Sequence, residues 1–216
     1  MAPSDVDRQV VTPQRREEFL MHMYDQMFND INRHIVVVWQ AVGTLIAAVA
    51  LLSLVEKGIV PLDFAAAIIL LVGVWLLAHL QDAAYWYNRN LAIIANIERQ
   101  FLISGDLRDI HYYFGKHRRG NVMLTHLKIQ YYFGLGIITL ATLYHFFIRV
   151  LPGLGAPWRN FDPVRVLPYL VVVAGVWLLV RLARKLREKY NEFLHESPGT
   201  SVDTTEVHYG NGHPSS

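Results

Sequence analysis

Ten histidines and no cysteine bound the chemistry that this 216-residue chain could support. Without thiols there is no disulfide, no thiolate metal site and no cysteine nucleophile. The sequence has no phosphate-binding loop, dinucleotide fingerprint, nucleophile elbow or His-Glu-x-x-His zinc motif. His34, His79 and His126 each fall at the same end of an apolar stretch, where facing helices could offer them to a haem as axial ligands. The histidines form no close ligand pair within one helix. The expectation is therefore a non-enzyme with no catalytic residue, cofactor or metal, and a small haem-binding redox subunit is the third reading.

Two polar residues stand out because they break an apolar face. From Gln81 to Ser104 nothing interrupts a helix. On a wheel of 100° per residue, Trp86, Tyr87, Leu91, Ile93, Ile94, Ile97, Phe101 and Leu102 take one side, and Asn88, Arg89, Asn96, Arg99 and Gln100 the other. Asn90 and Glu98 lie among the apolar set. A polar group on a buried face must find a partner or it destabilises the fold. Glu98 either pairs with a basic residue on a neighbouring helix, or the two residues form a gate or ligand contact.

Gln40, Gly43, Thr44 and Ala47 share one apolar stretch. The Gly43-x-x-x-Ala47 spacing lets helix backbones approach closely, and Gln40 and Thr44 can hydrogen-bond across such a contact. That contact lies within the chain, or it lines a pore or joins copies. Between Leu107 and Gly120, Arg108, His111, Lys116, His117, Arg118 and Arg119 alternate with Tyr112 and Tyr113. This mixture suits a juxtamembrane loop that sets topology and touches anionic lipid, or a sensor for a phosphate-bearing ligand. Nucleic acid is not expected.

The elements that position these residues are membrane spans. Hydrophobic residues make up 53% of the chain, more than an ordinary soluble domain carries. They concentrate near 35–55, 64–80, 129–150 and 166–180, with no Lys, Arg, Asp or Glu before the ends of each stretch except Arg149 at the edge of the third. Four transmembrane helices follow. The first 30 residues are polar and charged, which predicts an uncleaved first span rather than a signal peptide. Sixteen of the twenty Lys and Arg precede span one, separate spans two and three, or follow span four. The positive-inside rule then places both termini and the middle segment in the cytoplasm.

One pattern occurs twice, 102 residues apart: P-L-D-F-A-A-A-I-I-L-L-V-G-V-W-L-L-A-H-L at 61–80 and P-V-R-V-L-P-Y-L-V-V-V-A-G-V-W-L-L-V-R-L at 163–182. Self-similarity at that spacing predicts a duplicated two-span hairpin. The expected fold is an all-α integral membrane protein with four transmembrane helices as two duplicated hairpins, its helices extending into the cytoplasm. In order, the chain divides into a cytoplasmic amphipathic helix (1–33), hairpin 1 (34–81), a cytoplasmic helix and basic loop (82–128), hairpin 2 (129–181), a charged cytoplasmic helix (182–196) and a disordered tail (197–216). Thr12-Pro13 followed by Glu17 and Glu18 signals the first helix start. Leu182, Leu186, Tyr190 and Phe193 form a narrow coiled-coil-like seam.

The run Y-x-x-N-L-x-x-I-x-x-I-E-x-x-F-L (Tyr87, Asn90, Leu91, Ile94, Ile97, Glu98, Phe101, Leu102), placed after two spans, resembles bacterial SLATT-type membrane proteins. In those, a hairpin precedes a cytoplasmic helix carrying a tyrosine, a leucine and a glutamate. The resemblance covers roughly residues 35–105, and the second hairpin departs from it. It implies a membrane effector of a nucleotide-activated or antiviral defence system that forms oligomeric pores. The leading expectation is an oligomeric effector or channel-like subunit in a bacterial inner membrane, in contact with lipid and altering permeability in response to a cytoplasmic signal. The alternative is a scaffold that recruits a soluble cytoplasmic partner.

Overall fold

The computed structural model describes residues 12–101, 120–155, 157 and 160–196, and those residues form an all-α protein. Helix α1 spans Pro13–Val49, α2 Leu51–Glu56, α3 Leu62–Phe101, α4 Thr125–His145 and α5 Leu167–Glu196. Four helical segments are long and apolar enough to cross a membrane: 13–56, 62–98, 125–153 and 163–196.

Local signals set the helix ends. Thr12 caps α1, its side chain accepting from the Arg15 amide at 3.4 Å, with Pro13 at the first helical position. Glu17 and Glu18 fall beyond the first turn, which holds no acid. The amphipathic N-terminal segment and span one are one continuous helix. Gly58 takes φ +68° to turn the chain towards α3, a conformation that favours glycine. Below, "loop end" means the end holding residues 57–61 and 150–165, and "basic end" the opposite one.

Helix α3 is the hub. α1, α4 and α5 each pack along it, whereas α1 touches α4 only lightly and α4 and α5 do not pack closely on one another. The central core joins Val38, Ala41, Val42 and Leu45 of α1 to Leu76, Leu77, Leu80 and Tyr87 of α3 and Leu127 of α4. Glycines permit the close approaches. A Cβ on Gly73 would lie 2.6 Å from Ile138 on α4, one on Gly134 would lie 3.1 Å from Leu77, and one on Gly175 would collide with Val74. Such small-residue contacts bring membrane helices together where lipid is as apolar as the side chains.

Beyond the apolar stretches, α3 and α5 continue side by side at the basic end. The seam read from sequence docks here: Leu186 and Tyr190 are buried against Tyr85, with Leu182 and Phe193 beside them. Lys189 lies over the Tyr85 ring at 4.9 Å, and Arg89 sits over Trp86 at 5.3 Å and over Phe193 at 5.7 Å. Cation–π contacts of this kind contribute about 0.5–1 kcal/mol each at exposed sites.

Candidate functional site

The most connected polar group in the described structure is at the loop end, and the sequence reading did not single it out. Asp63 begins α3 and is 2% exposed; His145 ends α4 and is fully buried. His145 Nε2 lies 2.9 Å from Asp63 Oδ1, and Nδ1 lies 3.1 Å from the Tyr169 hydroxyl on α5. A carboxylate only accepts, so Nε2 carries the hydrogen that faces Asp63. Arg149 closes on the same carboxylate as a fork, Nε at 3.2 Å from Oδ1 and Nη2 at 2.7 Å from Oδ2. His145 and Arg149 are four residues apart, and the chain between them leaves the α-helix for a π-helical turn over Phe146–Val150. Wide turns of this type occur often at functional sites; this one keeps both side chains on Asp63.

The network extends outward. Asp162 approaches Arg149 at 3.8 Å and Arg165 at 3.7 Å, giving an alternating row Asp63, Arg149, Asp162, Arg165. Arg165 also donates from Nη1 to the Arg149 carbonyl at 3.3 Å. Tyr169, Asp162 and Arg165 line a cleft of about 320 Å³ that opens beside the network. Asp63 has both oxygens occupied, and the cluster offers no unpaired nucleophile. Its geometry suits a lock that ties α3, α4 and α5 together, with Tyr169 and His145 forming a hydrogen-bonded link from the cleft to Asp63.

At the basic end, Glu98 and Tyr24 join α3 to α1, the tyrosine hydroxyl donating to Glu98 Oε1 at 3.2 Å. Glu98 therefore meets a phenol rather than the basic residue expected from its position. Its second oxygen, Oε2, is buried without a hydrogen bond. Glu98 lies eighteen residues beyond the apolar stretch that ends at Leu80. Burial pushes its carboxyl up to about 7, against a smaller opposite pull from the Tyr24 hydrogen bond. Burial first, then the Glu98 charge, pushes Tyr24 up to about 12.

Asn90 is fully buried, and neither side-chain polar atom has a hydrogen-bond partner. Asn88, which the wheel places on the polar side, is fully buried too. Its amide donates to the Ala84 carbonyl at 2.7 Å, the Val122 carbonyl at 2.9 Å and Asn121 Oδ1 at 3.0 Å. Asn88 thus fixes the link that leads into α4. The wheel misplaced it because one wheel assumes one buried face, whereas α3 is covered by three helices.

Gln40, Gly43, Thr44 and Ala47 all lie on the exposed side of α1. A Cβ on Gly43 would meet nothing within 4 Å, and the Thr44 hydroxyl donates back to the Gln40 carbonyl at 3.0 Å. The stripe therefore faces away from the other described residues and packs against none of them closely. Arg108, His111, Lys116, His117, Arg118 and Arg119 lie outside the described residues. His34 and His79 stack on Trp86 and Trp75, and His126 meets Tyr87 edge-on, so each contacts a different aromatic. Among the described residues no group of three or more His, Asp or Glu could hold a metal ion.

Compared with family models, curated proteins and solved structures, the chain matches none.

Proposed function

We propose that this chain is a multi-pass membrane effector that assembles through its first span and alters membrane permeability when its cytoplasmic helices receive a signal. The carrying observation is the outward stripe of Gln40, Gly43, Thr44 and Ala47 on α1. An amide exposed to hydrocarbon gains from a partner on another helix, by about 0.6–2 kcal/mol per interhelical hydrogen bond. The small residues beside it admit a second backbone.

Among the described residues a single chain offers no path of its own. The middle of α3 is packed on three sides by apolar side chains, and the Asp63 cluster is closed on itself. Any permeability pathway therefore forms between copies, where Gln40 and Thr44 can face it. The distribution of Lys and Arg supports an orientation with the termini and residues 82–128 in the cytoplasm, and the reading sets the protein in a bacterial inner membrane. The likeness of residues 87–102 to SLATT-type proteins adds antiviral defence as the setting, with Asn90 and Glu98 at the signal-receiving level.

Induced expression should depolarise the membrane and slow growth. A Gln40→Leu, Gly43→Leu variant should insert to the same level and leave the potential unchanged. Depolarisation that is equal for both proteins removes the first span from the mechanism, and abundant inserted wild type with a normal potential ends the reading.

A second reading, a scaffold for a soluble partner, is favoured by the exposed charged side of α5, with Arg184, Lys185, Glu188 and Glu192 outside the docked seam. Reversing those charges should abolish co-purification of the partner without disturbing insertion.

A further inference from the structure

At the basic end, α4 and α5 diverge around a cleft of about 360 Å³, within the range of small-molecule sites. Its floor is Gln81 on α3; its walls carry Lys128, Tyr131 and Tyr132 on α4, Arg187 on α5 and Asn121 from the link between α3 and α4. The cleft exists because Gly134 draws α4 onto Leu76 and Leu77 of α3, while Gly175 draws α5 onto Val74, so neither helix closes on the other.

The chemistry of the lining is one-sided. It holds two cations and no carboxylate. Neither Lys128 nor Arg187 has an ion-pair partner among the described residues. Asn121 is anchored by the bond its Oδ1 accepts from Asn88, leaving its NH2 group to donate. Gln81 Oε1 is buried without a partner, and a half-turn of that amide would present its NH2 group instead. The first turn of α4 has no side-chain cap, so its amides add a field that favours an anion.

The cleft's depth identifies the anion's source. Lys128 directly precedes the apolar stretch at 129–150, and Arg187 follows the one that ends at 180. Ile129 and Tyr132 beside it are 64% and 67% exposed, as suits an aromatic and an apolar group at a membrane interface. We propose that this cleft holds the headgroup of an anionic glycerophospholipid, its phosphate between Lys128 and Arg187 and its acyl chains along the seam between α4 and α5. The site is independent of the effector reading, since it requires neither assembly nor conduction.

The test uses the full chain in nanodiscs of phosphatidylethanolamine containing a minority of phosphatidylglycerol, with retained lipid counted by native mass spectrometry. Wild type should keep one phosphatidylglycerol. Lys128→Gln with Arg187→Gln should lower that retention at least about tenfold, the loss expected for one charge-assisted hydrogen bond, and Lys185→Gln outside the cleft should not. Equal retention by wild type and the double variant overturns the proposal, as does displacement of the lipid by inorganic phosphate alone. Should the double variant fail to insert, photoactivatable phosphatidylglycerol must label wild type within 121–132 or 183–187; labelling confined to other residues is equally fatal.

Discussion

Residues 61–80 and 163–182 repeat one pattern, yet the first runs through the middle of the molecule and the second along its edge. Leu76 and Leu77 of the first are at most 1% exposed; Leu178, which matches Leu76, is 45% exposed. The shared tryptophan points outward in both copies, Trp75 at 48% and Trp177 at 62% exposed. Trp75 stacks on His79 at 5.8 Å, and the matching Trp177 lies under Arg181 at 5.3 Å. Both pairs put an aromatic and a basic group where the apolar stretch ends, as membrane-interface anchors do. At the loop end the copies part. The third residue of the pattern is Asp63 in one and Arg165 in the other, and the two meet the same Arg149, one at its guanidinium and one at its carbonyl. A common code for crossing a membrane can thus serve both a hub and a peripheral helix, with single positions assigning the role.

That contrast can be broken at its strongest point first. Asp63→Ala leaves the fully buried His145 and the half-buried Arg149 without their carboxylate and should destabilise the protein by about 3–5 kcal/mol. Arg165→Ala, at the matching position, removes one part-buried hydrogen bond and the longer contact with Asp162, and should cost about 0.5–1.5 kcal/mol. Thermal unfolding in detergent orders the two; equal losses would mean that the loop-end lock does not distinguish the copies. Leu76→Ala and Leu178→Ala sharpen the same contrast in the span itself. The first should cost about 2–5 kcal/mol through the cavity it leaves, and the second should stay within about 0.5 kcal/mol.

The extensions beyond the spans differ as well, since only the first buries a carboxyl. The folded state holds the Glu98 proton more tightly than the unfolded chain does, with its carboxyl raised from 4.5 to about 7. Its contribution is therefore complete at low pH and is lost as pH rises from about 4.5 through about 7. Glu98→Gln should match wild type at pH 4 and be the more stable protein at pH 8. A wild-type melting temperature that does not fall across that window, relative to the variant, would place Glu98 in water. Glu192 on the second extension is exposed, and its replacement by Gln should change nothing in the same scan.

Much of this arrangement was legible in the chain because it depends on local pattern. The apolar stretches mark the four spans, Thr12-Pro13 marks the start of α1, and Leu182, Leu186, Tyr190 and Phe193 mark the docked side of α5. The loop-end lock was not legible: Asp63 is 82 residues from His145 and 86 from Arg149, and no spacing rule links them. Asn88 was misread because its burial depends on Asn121 and Val122, 33 and 34 residues away. Gln40 and Thr44 were visible as a contact stripe, but the direction they face is set by Val38, Ala41, Val42 and Leu45, which turn the opposite side of α1 onto α3.

Assembly through α1 can be tested most directly because the chain has no cysteine. Thr44→Cys in native membranes should give a disulfide-linked dimer on mild oxidation, whereas Leu140→Cys, 68% exposed on α4, should not. A monomeric Thr44→Cys protein, or equal dimer from both positions, would contradict assembly through the first span.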